Sequence, residues 1–402
     1  MNAPTPSLRL RRARWAVAAL FWLNGATIAS VVPRYPLVKD NLDIPNAFFG
    51  LALAVGPFGA LIAGAFTSPL LRRFGSARVA TWAQVAQVVF AGLVLNAPNP
   101  WLFAAFVFLM SSVDVYTDIA MNSHGLRVQR GYGRSINNAF HAFWSFGAVC
   151  GGLVGAFFAG IALPLPWHAL GFGALLILIN VLLRPHLLPG HDKEPDAQSD
   201  AAPPARVPRA MWWPLIALGL IAAFGASIED AGFSWSALFL RGDLGASPAV
   251  AGLGVVSLVG AQTIGRLTGD RLVDRFGNRR VAQVGCTLGA AGMGLALLFP
   301  SVPLVLIGYA CAGWGVATIV PAVYATADEL AGLPHGAGLV VVNWILRLGF
   351  VIMPPLVGFV SDATSLRIAL IIMPVAMAAI VALSGHLRGR VRGQGSLVEV
   401  TP

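Results

Sequence analysis

Twelve runs of mostly apolar residues, spread along the whole chain, constrain this sequence more than any other feature. A helix of about 20 such residues is what it takes to cross the hydrocarbon core of a bilayer. The runs lie near 15–38, 47–68, 79–97, 101–123, 136–161, 166–184, 211–240, 249–269, 281–299, 302–327, 337–360 and 367–386. Composition agrees. Of 402 residues, 57% are hydrophobic and 11% charged, against roughly 25% charged in soluble proteins. A soluble enzyme, a disulfide scaffold and a disordered chain are excluded. The expected fold class is an all-α membrane protein with 12 transmembrane helices.

The net charge of +10 would fit a nucleic-acid binder, but its distribution does not. Lys39 and Lys193 are the only lysines among 27 basic residues, and the arginines come in short bursts between apolar runs. That is how cytoplasmic loops are marked. With the N-terminus inside, 21 basic residues fall on the cytoplasmic side. Arg34, Lys39, Arg241 and Arg367 fall at the outer ends, and Arg266 and Arg347 lie within spans. Both termini are therefore expected in the cytoplasm of a bacterium, the chain being multi-pass in the inner membrane. Arg9, Arg11, Arg12 and Arg14 ahead of an apolar run resemble a signal peptide. No small-residue cleavage site follows, so the run reads as a retained first helix. Cys150, Cys286 and Cys311 lie inside apolar runs and read as small core residues rather than a disulfide framework.

The stretch 185–210, PHLLPGHDKEPDAQSDAAPPARVPRA, is the one long polar connection and lies near the midpoint. It reads as a flexible cytoplasmic linker. The expected organisation is an N-terminal six-helix bundle (1–184), the linker (185–210), a C-terminal six-helix bundle (211–388) and a cytoplasmic tail (389–402). An internal repeat supports the division. At an offset of 202, residues 47–80 match 249–282 at 11 of 34 positions, most densely where Arg73-Phe74-Gly75-x-x-Arg78 meets Arg275-Phe276-Gly277-x-x-Arg280. Two parallel halves suit a transporter that alternates around a central cavity.

Ionisable groups inside a span cost several kcal/mol and should face a cavity or a partner. Asp114 and Asp118 are i,i+4 on one face of the fourth span, and Asn122 continues the stripe. A carboxylate that protonates as the cavity opens and closes would couple transport to protons; the alternative is a permanent pair with an arginine. In the fifth span Asn137, Asn138, His141 and Trp144 cluster, and a histidine there either titrates or bonds a carbonyl. In the seventh, Glu229 and Asp230 point about 100° apart, which puts Glu229 in the cavity and Asp230 against a neighbour. Trp235, nearer the outer mouth, either stacks on solute or anchors at the interface. Asn343 and Arg347 are i,i+4 in the eleventh span. Arg347 contacts solute or pairs with an acid such as Glu229. Tyr324 is a cavity candidate in the tenth span. Arg34 either binds an anionic group or snorkels to headgroups, and Arg266 with Asp270 reads as a structural pair. Gly147, Gly151 and Gly155 form a close-packing stripe.

Taken together, twelve spans in a six-plus-six split resemble the major facilitator superfamily. Asp274-Arg275-Phe276-Gly277-Asn278-Arg279-Arg280 is similar to that family's loop motif after the eighth span. The resemblance implies two bundles in pseudo-twofold arrangement and a cytoplasmic gate latched by Asp274 and Arg275, with Gly277 and Arg279. The first-half loop has Arg72 where the acid would stand, so a full latch is expected in the second half alone. Asp118-Ile-Ala-Met-Asn122 with Asn138-x-Phe-His141-x-Phe-Trp144 looks like a bacterial branch of fucose-permease-like transporters and members of unassigned substrate.

The expected function is secondary active transport of a small polar or anionic solute, with proton symport favoured over export of a metabolite or drug. Family drug exporters usually carry a Gly-Pro element in the fifth span, and no proline lies between Asn137 and Ala162. No G-x-x-x-x-G-K-[ST] loop is present to couple ATP, and no H-E-x-x-H or G-x-S-x-G supports an intramembrane enzyme. A non-transporting sensor is the other remote alternative. The expected partners are a small solute, protons and the lipid bilayer; no cofactor, metal or nucleic acid is expected, and the chain is expected to act as a monomer.

Overall fold

Hydrocarbon gives a backbone no water to bond, so each apolar run must close its own hydrogen bonds as a helix. The computed structural model describes residues 7–133, 136–190, 208–328, 330 and 337–387, without the side chains of Asn138, Ala210 and Ala337. Most of the linker and the tail expected at 389–402 lie outside the described residues. Twelve helices long and apolar enough to cross a membrane are present, and no strand occurs among the described residues. They are α1 (Leu8–Leu42), α2 (Asn46–Phe74), α3 (Ser76–Leu95), α4 (Pro100–Tyr132), α5 (Asn137–Gly160) and α6 (Leu165–His186) in the first half. The second half holds α7 (Trp212–Gly242), α8 (Pro248–Phe276), α9 (Asn278–Leu298), α10 (Val302–Asp328), α11 (Ala337–Ala363) and α12 (Leu366–His386).

Several helices outrun their apolar stretches. α1 starts at Leu8, where the Ser7 hydroxyl accepts the Leu10 N–H at 3.3 Å, so its arginines sit on the helix and not in a loop before it. α4 continues to Tyr132 and stops at Gly133, which takes φ +64°. Arginine is a good helix former, and outside the hydrocarbon its charge carries no penalty. α10 is broken between Val316 and Ile319. Pro321 has no N–H to return to the Ala317 carbonyl, which accounts for the break.

The glycine stripe of α5 sets the closest packing in the first half. A Cβ at Gly147, Gly151 or Gly155 would run into the carbonyls of Trp22, Ala26 and Ser30 on α1. Those three α1 residues are themselves four apart, so the two helices mesh along one seam.

The repeat is visible in three dimensions. Gly75 ends α2 at φ 78°, ψ 150°, and Gly277 ends α8 at φ 81°, ψ 154°. Each donates its N–H to the carbonyl four residues back, at 2.8 Å and 2.7 Å. Arg73 lies over Phe74 and Arg275 over Phe276, both at 5.3 Å. A backbone with φ near +80° requires glycine, so the same turn chemistry was kept in both halves. The molecule is thus two six-helix bundles in pseudo-twofold arrangement.

The halves meet chiefly through α2 on α11 and α5 on α8. One end of this interface is sealed. The Asp362 carboxylate at the end of α11 accepts the N–H groups of Asn46 (3.0 Å) and Ala47 (2.7 Å), the first turn of α2. An acid there also meets the positive end of the helix dipole. Arg241 of α7 pairs with Asp40 of α1 at 3.7 Å. The opposite end carries the arginine-rich turns at Arg72 and Arg271, which are exposed.

Gly151→Leu is expected to wedge α1 from α5 and lower stability by about 1–3 kcal/mol, read as a drop in the unfolding midpoint of the detergent-solubilised protein. An unchanged midpoint would mean that the seam is not under packing constraint.

Candidate functional site

Polar side chains from four helices of the first half converge on Asp114 of α4. Asn24 of α1 donates from Nδ2 to Asp114 Oδ1 at 2.8 Å, and Gln87 of α3 donates from Nε2 to the same oxygen at 2.7 Å. Asn24 Nδ2 also donates to Gln87 Oε1 at 3.0 Å. Trp144 of α5 donates its indole N–H to Asn24 Oδ1 at 2.6 Å. Asn24 and Gln87 are buried, while Asp114 and Trp144 are half-buried. Two amides thus donate to one oxygen of the carboxylate, and the indole holds Asn24 in place to do so. Its second oxygen, Oδ2, is not engaged by these donors. One turn along, Asp118 is exposed and accepts the Asn122 Nδ2 hydrogen bond at 3.0 Å.

The second half has its own centre. Glu229 of α7 accepts a hydrogen bond from Gln262 Nε2 of α8 at 2.7 Å and lies 3.8 Å from Arg266 Nη2. This corrects two expectations. Arg266 pairs with Glu229 rather than with Asp270, which is exposed, and Glu229 pairs with Arg266 rather than with Arg347. A carboxylate from a neighbouring helix reaches the guanidinium better than one a turn away on a solvated stretch. Arg266 is also within electrostatic reach of His141 on α5, from the other half. His141 is exposed and packs edge-on against Phe21 at 5.2 Å. Tyr324 of α10 donates to Asn343 Oδ1 of α11 at 3.2 Å, with Arg347 within electrostatic reach of its hydroxyl. Arg347 is half-buried, and no acid among the described residues pairs with it.

Three sequence-derived candidates lie elsewhere. Trp235 is neither a stacking platform nor an interfacial anchor here. It is fully buried at the sealed end, edge-on to Phe49 at 5.4 Å, because closure of α2 against α11 covers it. Arg34 is not snorkelled: it is 1% exposed and donates from Nη2 to the Leu163 carbonyl just past α5. Carbonyls at a helix end attract a cation, which turns this side chain inward. Asp230 faces Tyr35 of α1 and accepts a weak bond from Ser234 at 3.5 Å, its other oxygen buried and unpartnered. The side chain of Asn138 lies outside the described residues. At the gate loop Asp274, Arg275 and Arg279 are exposed, and no ion pair joins them to a partner among the described residues. Among the described residues no cluster of three histidine, cysteine or acidic groups could hold a metal ion.

Asn24, Gln87 and Gln262 were missed from sequence because an amide carries no charge to mark it. The available signal was polarity alone: Gln84 and Gln87 are i,i+3 inside an apolar run, and Asn24 stands alone in another.

Breaking the Glu229–Arg266 pair leaves a half-exposed charge. Arg266→Gln is expected to lower stability by about 1 kcal/mol, and adding Glu229→Gln should restore most of it. Thermal unfolding of both single variants and the double variant measures this; strictly additive losses would mean that the two groups are not coupled.

A sequence profile of the Major Facilitator Superfamily matches residues 17–261 and again 215–394. An uncharacterised transporter of Sinorhizobium fredii is 28% identical over 372 residues, spanning 92% of this chain and 97% of that protein. An uncharacterised MFS-type transporter of Yersinia pestis is 26% identical over 356 residues, spanning 87% and 89%. The crystal structure of the nucleoside transporter NupG superposes with a TM-score of 0.74 at 14% identity, covering 94% of this chain and all of that one.

Proposed function

The chain belongs to the major facilitator superfamily, and from that premise we propose that it is a secondary active transporter for a small polar or anionic solute, coupled to protons by symport. It works by alternating access across the bacterial inner membrane, and the arginine-rich end is the cytoplasmic one. The conformation described above is then closed to the outside and open toward the cytoplasm.

The observation that carries this reading is Arg347. A guanidinium in a half-buried position of a membrane helix, with no carboxylate among the described residues to pair with it, calls for an anionic group from outside the protein. Asn343 and Tyr324 stand beside it as neutral hydrogen-bonding groups. On the first half, Asp114 keeps one oxygen free for a proton or for a donor group of the solute. Glu229 is the less suited proton carrier, because one of its oxygens is already engaged by both Gln262 and Arg266. No reaction is assigned to the chain, which acts as a carrier and not as an enzyme.

The test is a thermal-shift screen of small solutes on purified protein, followed by uptake of each hit into proteoliposomes under an imposed pH gradient. A ligand stabilises the protein by mass action. Arg347→Ala is expected to weaken binding of an anionic hit at least about tenfold. Asp114→Asn is expected to keep solute exchange while losing accumulation driven by the gradient. Uptake indifferent to the pH gradient would remove the proton coupling, and no uptake of any stabilising solute would remove the transporter reading.

A further inference from the structure

A second charged site lies outside the transport path, at the arginine-rich end of the first half. A pocket of about 830 Å³ opens there between the first turn of α1, the α2–α3 turn and the end of α6. Arg9, Arg12, Arg78, Arg184 and His186 line it, and among the described residues no acid does. No ion pair joins any of these arginines to an acid among the described residues.

The pocket has a built wall. Residues 187–190 fold back beneath the bundle as a strap instead of leaving it. The Leu188 N–H donates to His124 Nε2 of α4 at 3.1 Å, and His124 Nδ1 is 2.8 Å from the Ser76 hydroxyl at the start of α3. Arg127 of α4 donates to the Pro189 and Gly190 carbonyls at 2.5 Å and 3.1 Å. Arg127 is thereby spent on the wall, and the four arginines of the pocket remain unopposed.

The pocket adjoins an exposed apolar track on two spanning helices. The Arg184 guanidinium lies over the ring of Trp82, 5.8 Å from its centroid. Trp82 is 63% exposed and Leu182 62%, and Leu178 continues the apolar track one turn deeper along α6. Four guanidiniums with no carboxylate, held at the edge of an apolar track, match a phosphate headgroup with its tails attached. A soluble anion would use the arginines but leave the track unused.

We propose that this pocket binds the phosphate groups of an anionic phospholipid of the adjoining leaflet, with room for a two-phosphate headgroup of the cardiolipin kind. Such a lipid ties the start of α1 and the end of α6 to the α2–α3 turn and so braces the first half as one body. The site is independent of the solute and of proton coupling.

Native mass spectrometry of the purified, delipidated protein tests this, with cardiolipin, phosphatidylcholine and pyrophosphate titrated separately. Cardiolipin is expected to be retained, and phosphatidylcholine and pyrophosphate are not. Arg78→Gln with Arg184→Gln is expected to weaken cardiolipin about thirtyfold, at about tenfold or less per arginine near a membrane surface. Lysine at both positions keeps the charge and should restore much of the binding, which separates a binding loss from misfolding. Arg271→Gln with Arg280→Gln, on the same face of the other half, should change it less than about twofold by the same scale. Equal losses in the two pairs would reduce the site to diffuse surface charge and overturn the proposal. So would pyrophosphate binding as tightly as cardiolipin. Retention that appears only after Asp192, Glu194, Asp196 and Asp200 are neutralised would assign the pocket to the chain's own linker instead.

Discussion

The cost of leaving a charge unpartnered in an apolar medium organises this molecule. Hydrocarbon tolerates an ionised group only where a counter-charge, a ring of donors or water receives it. Each ionisable side chain in the spans is disposed of accordingly. Glu229 takes Arg266 and Gln262, Asp114 takes Asn24 and Gln87, and Arg34 takes a carbonyl beyond the end of α5. Among the described residues Arg347 and the second oxygen of Asp114 are left over beside the interior, one on each half, while the unpartnered oxygen of Asp230 is buried against Tyr35. A fold under this constraint keeps such groups only where they have a use, which is why they and not the paired groups mark the proposed solute path.

The two halves are built alike but not charged alike. The turns at Gly75 and Gly277 reproduce each other in dihedrals, hydrogen bonds and the stacking of arginine on phenylalanine. The acid of the loop motif, however, occurs at Asp274 only, its first-half counterpart being Arg72. On the far side the same interaction type is in use: Asp362 meets the first turn of α2 across the halves. A carboxylate on a helix N-terminus is a modest, solvated contact, strong enough to bias a closed end and weak enough to be released. The sealed end owes more to packing, with Trp235 on Phe49 beneath that contact.

The number and order of the spans were legible because length and hydropathy alone decide whether a helix crosses a bilayer, whereas the ends of α1, α2, α4 and α8 run past their apolar stretches. The repeat was legible because Arg-Phe-Gly-x-x-Arg is not a product of apolar composition. Direction around the helix and the state of closure were not. Trp235 was read as facing the outer mouth or the interface, whereas it is buried edge-on to Phe49 of α2, a contact between the halves that no single-helix pattern reveals. Neither reading of Arg34, an anion site or a headgroup contact, included its partner, the Leu163 carbonyl, which is 129 positions away in sequence. Arg266 was matched with Asp270 on i,i+4 spacing, a rule that sees one helix and not the neighbouring acid on α7. The amides around Asp114 went unread because they are neutral, although they hold the one carboxylate on which proton coupling is proposed to depend.

Alternation of the two ends is the core of this account, and paired distance measurements test it most directly. In protein whose three native cysteines are replaced by serine, spin labels at Asn41→Cys and Thr364→Cys span the sealed end. Labels at Arg72→Cys and Arg280→Cys span the other. Double electron–electron resonance across a change of pH, and with each stabilising solute, should show the first distance lengthening as the second shortens. If both distances hold steady under every condition, or move in the same sense, the two halves do not rock about a central solute and the transport mechanism drawn from this structure is contradicted.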